Sequence, residues 1–207
     1  ISARTEGQAT DPRGISLFLV PGDSEGLLRK DYPTVDGLRA SEVLLENVRV
    51  PASALLGAEG AASQTLKTVI NRGILAISAE AVGAMAVLYQ STIDYTKQRV
   101  QFDHPLSEFQ VVKHRLTEMF IEYNLAKSLC MKATMLLNQN SEDAQRHIHA
   151  LKFLIGKTSR FVGQNAVQLH GGMGMTEDLA IAHYFKRLMM IDATFGHTDI
   201  HLDAFVQ

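Results

Sequence analysis

The sequence predicts a mostly α protein: an up-and-down helical bundle preceded by a few β-strands of an incomplete β domain. Three observations carry this. Alternating apolar runs and turn residues are confined to positions 1–57. From Ala61 onward the apolar period changes from 2 to 3.6 and stays there. The helical segments are long and the breaks between them short, the pattern of antiparallel neighbours.

In the β part, Ile15–Val20 is a short apolar run closed by the turn cluster Pro21-Gly22-Asp23. Ser41–Val50 is a second strand region that Pro51 ends, and Asp36-Gly37 marks a turn between the two. Two or three strands are too few to bury a sheet face, which needs more strands or a helix. The chain opens on Ile1 and enters strand-like sequence at once, so it reads as part of a longer protein. Residues 1–57 and 58–207 are the two expected domains.

The first helix places Leu66, Val69, Ile70, Gly73, Ile77, Ala84, Val87, Leu88 and Tyr95 on one face. Unbroken to Arg99, it would run about 55–60 Å at ~1.5 Å per residue. A turn at Phe102–Pro105 follows, and Ser107 with Gln110 forms a capping-box pattern. The second helix repeats at Phe109, Val112, Leu116, Met119, Tyr123, Ala126, Cys130, Ala133 and Leu137. Asn138–Asn140 breaks it, and Ser141 reads as the next N-cap. The third helix carries Ala144, Ile148, Leu151, Ile155, Phe161 or Val162, and Leu169. A shorter helix from Glu177 to about Ile191 and a last one from about Gly196 complete the bundle.

The third and fourth helices are joined by Gln168-Leu-His-Gly-Gly-Met-Gly-Met-Thr-Glu-Asp178. Its glycines permit positive φ and close approach of a ligand to backbone. Thr176 with Glu177 and Asp178 looks like an N-cap and an acidic first turn. Free N–H groups in such a loop can hold an anion such as a pyrophosphate. The same shape also serves as a plain glycine C-cap and tight turn. It is not the dinucleotide fingerprint that follows a strand, because a helix precedes it and Glu177 replaces the third glycine. Arg99, at the foot of the longest helix, is favoured there by the helix dipole alone, and equally suits two-pronged phosphate binding.

Composition narrows the function classes. A net charge of −2 with mixed signs argues against a nucleic-acid or polybasic membrane surface. The most apolar window, Ile74–Tyr89, is interrupted by Glu80 and falls short of the roughly 20 residues of a bilayer span. The single cysteine, Cys130, excludes an internal disulfide framework, fits a reducing, cytoplasmic compartment and reads as a core residue. Of the eight histidines, His147 and His149 point apart on one helix. His197 and His201 can share a face, but no carboxylate or cysteine completes a metal site. Asp192, Asp199 and Asp203 read as a solvated acidic series.

Taken together, the residues resemble the acyl-CoA dehydrogenase family. The motifs are Leu44-Leu-Glu-Asn-Val-Arg-Val-Pro51, Leu56-Gly-Ala-Glu-Gly60, Arg72, Arg99-x-Gln-Phe102, Phe109-Gln110 and Gln168-Leu-His-Gly-Gly-x-Gly174. The resemblance implies the end of a middle β-barrel followed by the whole C-terminal helical bundle. It implies FAD as cofactor, an acyl-CoA substrate, an electron-transfer acceptor, and a homo- or hetero-oligomer (dimer or tetramer) built through the bundle. By the same resemblance Arg99 pairs with the FAD pyrophosphate, Gln101 and Phe102 flank it, and Phe109 and Gln110 line the dinucleotide. Gln168, Leu169, His170, Gly171 and Gly172 would present backbone to its ADP half.

Two departures stand out. Asp103 occupies a position where the family has glycine. The α-proton is removed in the family by a glutamate at one of two positions, matching Phe195 and Asn71 here. Neither residue can take a proton. The implied reading is a subunit whose base is supplied elsewhere, and the alternative is an inactive helical assembly subunit with a decayed flavin site.

Overall fold

The computed structural model describes residues 1–207. It comprises two compact units, Ile1–Ile70 and Asn71–Gln207.

The first unit is β-rich. Strands β1 (Ser2–Arg4), β2 (Ile15–Phe18), β3 (Leu27–Pro33), β4 (Arg39–Leu45) and β5 (Leu55–Leu56) form two small antiparallel sheets. One has the order β1-β2-β5, and the other is the β3–β4 hairpin. The Asp36-Gly37 signal lies in that hairpin's connection, where Gly37 has φ +80°. The strand-like start of the chain is β1; the sequence missed β3 and β5, and placed the end of β4 too late. Pairing stops at Leu45, well before Pro51, because Asn47 turns the chain with φ +54°. Arg4 ties the loop after β1 by donating to the carbonyls of Glu6, Ala9, Asp11 and Arg13. Leu28, Val43, Leu44 and Leu45 of the hairpin are exposed.

The helices are α1 (Ser63–Gln98), α2 (Gln110–Asn138), α3 (Ala144–His170), α4 (Ala180–Ala193) and α5 (Thr198–Val206). Between α1 and α2 the strands β6 (Val100–Gln101) and β7 (His104–Pro105) make a two-residue hairpin. α3 is the central helix of the second unit. Its Ile148, Leu151, Ile155 and Val162 are fully buried and meet Met119, Ala126 and Ala133 of α2 and Leu188 and Ile191 of α4. Each such side chain contributes about 1.5–3 kcal/mol through removal from water.

The stripes predicted for α2 and α3 are the buried ones. Of the predicted α1 stripe, Ala84 and Leu88 are buried while Val69, Ile70 and Val87 are exposed; Ile74, Ser78, Ala81, Met85 and Thr92 are buried as well. The covered side mixes Ile74, Met85 and Leu88 with Ser78, Ala81 and Thr92, so its apolar signal is interrupted. By length and composition α1 is long and apolar enough to cross a membrane. Its covered residues join the core cluster of the bundle.

Three predicted caps are absent. Ser107 lies in a 3-10 turn (Leu106–Glu108), and Phe109 precedes α2 without a side-chain cap. Ser141 accepts from the Asp143 N–H, but α3 starts at Ala144 with no side-chain cap. Thr176 instead closes a 3-10 turn (Gly171–Met175), and its Oγ1 donates to the Met173 carbonyl at 2.9 Å. The glycine stretch therefore continues as a tight turn, and α4 begins at Ala180 rather than Glu177.

Candidate functional site

The last turn of α1 meets the end of α3. The Tyr95 ring stacks on His170 with centroids 4.3 Å apart, and its hydroxyl lies 3.4 Å from the His170 carbonyl. His170 is buried, and its Nδ1 lies 2.8 Å from the Ala166 carbonyl, so Nδ1 carries the proton. This junction opens a cleft lined by Tyr95, Arg99, Leu106, Gln168, Leu169, His170, Gly171, Gly172 and Met173.

Six of the expected cofactor residues are thereby brought to one place: Arg99, Gln168, Leu169, His170, Gly171 and Gly172. Arg99 continues the helix, its N–H reaching the Tyr95 carbonyl at 2.9 Å. Its guanidinium forms no ion pair in the chain. The three glycines differ in purpose. Gly171 has φ +61° and ψ −143°, a region open essentially to glycine alone. At Gly174 a Cβ would lie 2.6 Å from the Val167 carbonyl oxygen, so this glycine lets the turn fold back on α3. Gly172 meets neither demand: its φ is not positive and a Cβ there would point into open space.

Gln101, Phe102, Phe109 and Gln110 do not line the cleft; they belong to the neighbouring hairpin and the start of α2. The hairpin is attached to Arg99 by the Leu106 N–H donating to the Arg99 carbonyl at 2.9 Å. Phe102 and Asp103 both have positive φ, +54° and +65°. The glycine that the family resemblance leads one to expect at 103 thus falls at a left-handed position, which aspartate tolerates better than most side chains. Phe102 stands 86% exposed at the hairpin tip, edge-on to Phe109. The Gln101 side chain bonds the neighbouring Val100 carbonyl.

Of the two positions that lack an acid, Phe195 is packed on the same helix that carries Asn71. The Phe195 ring lies on α1, where a Cβ at Gly73 would come within 2.7 Å of its Cζ, and Asn71 is two residues away on the same helix. Phe195 has φ +59° and Gly196 φ +101°. The turn is held from beneath. Lys152, fully buried, donates to the Asp192 and Gly196 carbonyls at 2.8 and 2.9 Å. His201 Nε2 donates to the Phe195 carbonyl at 2.9 Å, and its Nδ1 lies 3.0 Å from His149 Nδ1. Burial pushes the Lys152 ammonium, His149 and His201 toward their neutral forms; the charge of Asp192 works against this at Lys152.

Several side chains sit elsewhere than expected. Asp192 is buried, not solvated, with Oδ1 accepting from Thr198 Oγ1 at 2.7 Å and Oδ2 3.3 Å from Arg160. His197 and His201 do not pair; His201 meets His149 of α3. Glu80, which interrupts the apolar window, receives a two-pronged grip from Arg187. Sequence reading missed Tyr95 as a cleft wall, although it stands one turn before Arg99 on the apolar side of α1. It missed Lys152 altogether, since a lysine in an apolar stripe gives no signal of what it will bind.

A family model described as acyl-CoA dehydrogenase, C-terminal domain, matches residues 44–207. The chain belongs to the acyl-CoA dehydrogenase family. It is 31% identical to the probable acyl-CoA dehydrogenase YngJ of Bacillus subtilis, over 90% of this chain and 50% of that protein. The crystal structure of an acyl-CoA dehydrogenase from Geobacillus kaustophilus matches with a TM-score of 0.92 at 27% identity, covering 99% of this chain and 55% of that one. The FAD complex of PigA matches with a TM-score of 0.92 at 25% identity, covering 99% and 54%. The chain spans about half the length of the curated relatives it matches.

Proposed function

We propose that this chain is the C-terminal portion of an FAD-dependent acyl-CoA dehydrogenase subunit, in which Arg99 and the Gln168–Gly172 segment receive the FAD pyrophosphate. The observation that carries the reading is that an unpaired guanidinium and an open glycine backbone line one cleft. An arginine fork and free backbone N–H groups suit a diphosphate, and the space at Gly172 fits a group pressed against bare backbone. Gln101, Phe102, Phe109 and Gln110 flank the dinucleotide on the hairpin side. When bound, FAD supplies the hydride acceptor for the β-carbon of an acyl-CoA thioester and passes electrons to an external acceptor.

The α-proton needs a carboxylate aimed at it and kept from water. Phe195 and Asn71 supply none, so the base comes from another chain of a hetero-oligomer built through the bundle. Residues 1–57 act as the end of a β-barrel domain and 58–207 as the bundle. The setting proposed is cytoplasmic fatty-acid β-oxidation.

The test is the flavin absorbance and turnover of the full-length protein, alone and co-expressed with a paralogous subunit. The expected result is a yellow protein that is inactive alone and gains acyl-CoA oxidation with its partner. Full activity of the lone homo-oligomer refutes the shared base.

The missing acid at both Phe195 and Asn71 also favours a second reading, a helical assembly subunit with a decayed flavin site. It requires that no flavin be retained in either preparation and that Arg99→Ala assemble normally.

A further inference from the structure

The turn that joins α4 to α5 is over-determined for a surface connection. Three of its backbone carbonyls are held by cationic or imidazole donors from the interior. Lys152 reaches the Asp192 and Gly196 carbonyls, and His201 reaches the Phe195 carbonyl between them. Asp192 Oδ1, bonded to Thr198 Oγ1, ties the end of α4 to the start of α5. His201 must donate from Nε2 to the carbonyl, so in the neutral ring its Nδ1 accepts from His149 Nδ1.

Burying a lysine completely is costly unless its ammonium is well bonded. An apolar residue at 152 would fill the same stripe between Leu151 and Ile155 without that cost. The carbonyls at a helix C-terminus do attract a cation, yet a surface lysine would serve that purpose. What the buried ammonium adds is a fixed geometry for two consecutive left-handed residues, one of them a phenylalanine that resists this conformation. The ring of that phenylalanine is then pressed on α1, where Gly73 has no side chain to obstruct it.

We propose that Lys152, assisted by His201, is a positioning residue that sets the direction of the side chain at 195. The clamp grips backbone alone, so it aims whatever side chain stands there, carboxylate or aromatic ring. In this chain the aimed group is a half-exposed aromatic ring against Gly73 of α1. The proposal rests on reading position 195 as part of the reaction site. Its test reads the ring itself, so its outcome is separable from that of the flavin assignment.

The experiment places 4-fluorophenylalanine at position 195 of the full-length protein and records the fluorine resonance with Lys152 present and in Lys152→Met. A second label at Phe120, on α2, serves as control. The expected result is one narrow line at 195 in the parent, and in the variant a line moved toward the solvent-exposed position or split into several. The Phe120 line and the helical circular dichroism stay unchanged. A purely structural lysine would lower the melting temperature and leave the 195 line of the folded variant where it was. That outcome overturns the proposal. Should Lys152→Met not fold, His201→Leu removes one tether: a displaced 195 line supports the clamp, and an undisturbed line overturns it.

Discussion

Tyr95 and His170 stack 4.3 Å apart, and this one contact joins the foot of α1 to the glycine turn after α3. Everything in the proposed cofactor cleft hangs from it, since Arg99 follows one partner and Gly171 the other. An aromatic pair of this kind adds about 0.5–1.5 kcal/mol beyond the area it buries. Tyr95→Ala is expected to destabilise the bundle by about 2–4 kcal/mol, a half-buried ring costing somewhat less than a core aromatic. Tyr95→Phe is expected to cost under about 1 kcal/mol, because the 3.4 Å hydroxyl contact is long for a hydrogen bond. Urea denaturation of the two variants decides; equal losses would mean that the hydroxyl, not the ring, makes the joint.

The adjacent glycines Gly171 and Gly172 should separate folding from ligand binding. Gly171→Ala forces a side chain into a region of φ and ψ reserved for glycine and is expected to cost roughly 1–3 kcal/mol. Gly172→Ala meets no atom of the chain, so its melting temperature should match the parent. Flavin retention after gel filtration of the full-length protein should nevertheless fall in Gly172→Ala. Undiminished retention would show that nothing approaches that backbone.

Arg99→Ala should leave circular dichroism and assembly intact, because its guanidinium holds nothing within the chain. Hydrogen bonds to charged groups contribute about 1.5–3 kcal/mol, so flavin affinity should drop by roughly one to two orders of magnitude. Arg99→Lys should recover only part, since an ammonium lacks the planar fork. Full recovery by lysine would reduce the role of Arg99 to bulk charge.

Stability should fall as the solution is acidified through the histidine range. His149 is held below the ordinary value near 6.5 by burial and then by His201. For His201 burial again leads; the Phe195 hydrogen bond opposes it, Lys152 adds to it and Asp192 opposes it. A depressed histidine means that the unfolded chain binds the proton more readily than the folded one. The contribution is therefore complete above about pH 6.5 and lost as pH drops through the lower folded values. Denaturant midpoints at pH 7.5 and 5.5, compared between the parent and a His149→Phe, His201→Leu double variant, give the readout. The parent should lose more on acidification than the variant; identical losses would assign the effect to carboxylates.

Phe195→Glu returns an acid to the turn that the buried lysine holds. In the flavin-loaded full-length protein this variant should acquire acyl-CoA oxidation without a partner subunit, seen as bleaching of the flavin band on adding substrate. No bleaching would mean that the turn does not face the reacting carbon.

How far the sequence could be read depended on how each residue is held. The stripes of α2 and α3 were legible because Met119, Ala126, Ile148 and Ile155 are apolar and buried against other apolar residues. The α1 face was read only in part: Ala84 and Leu88 are buried as expected, but so are Ser78, Thr92 and Thr96, whose type gives no apolar signal. Thr92 returns its hydroxyl to the Leu88 carbonyl, a local solution invisible to periodicity. Motif order brought Arg99 and the glycine turn together correctly. It could not show that Phe102 stands aside at the hairpin tip, since that depends on two successive positive φ angles. The buried partners of the Phe195 turn, Lys152 and His149, lie far from it in the chain, and nothing local announces such a meeting.

Gly73 and Arg99 sit near opposite ends of one helix, roughly 39 Å apart at about 1.5 Å of rise per residue. A flavin dinucleotide anchored by its diphosphate at the arginine end does not stretch to the ring at the glycine end. On the proposed reading the cofactor that one protomer grips and the residue-195 position it offers therefore serve different reactions. On that reading the chain shares its sites with a neighbour, so dilution to isolated protomers is expected to abolish turnover.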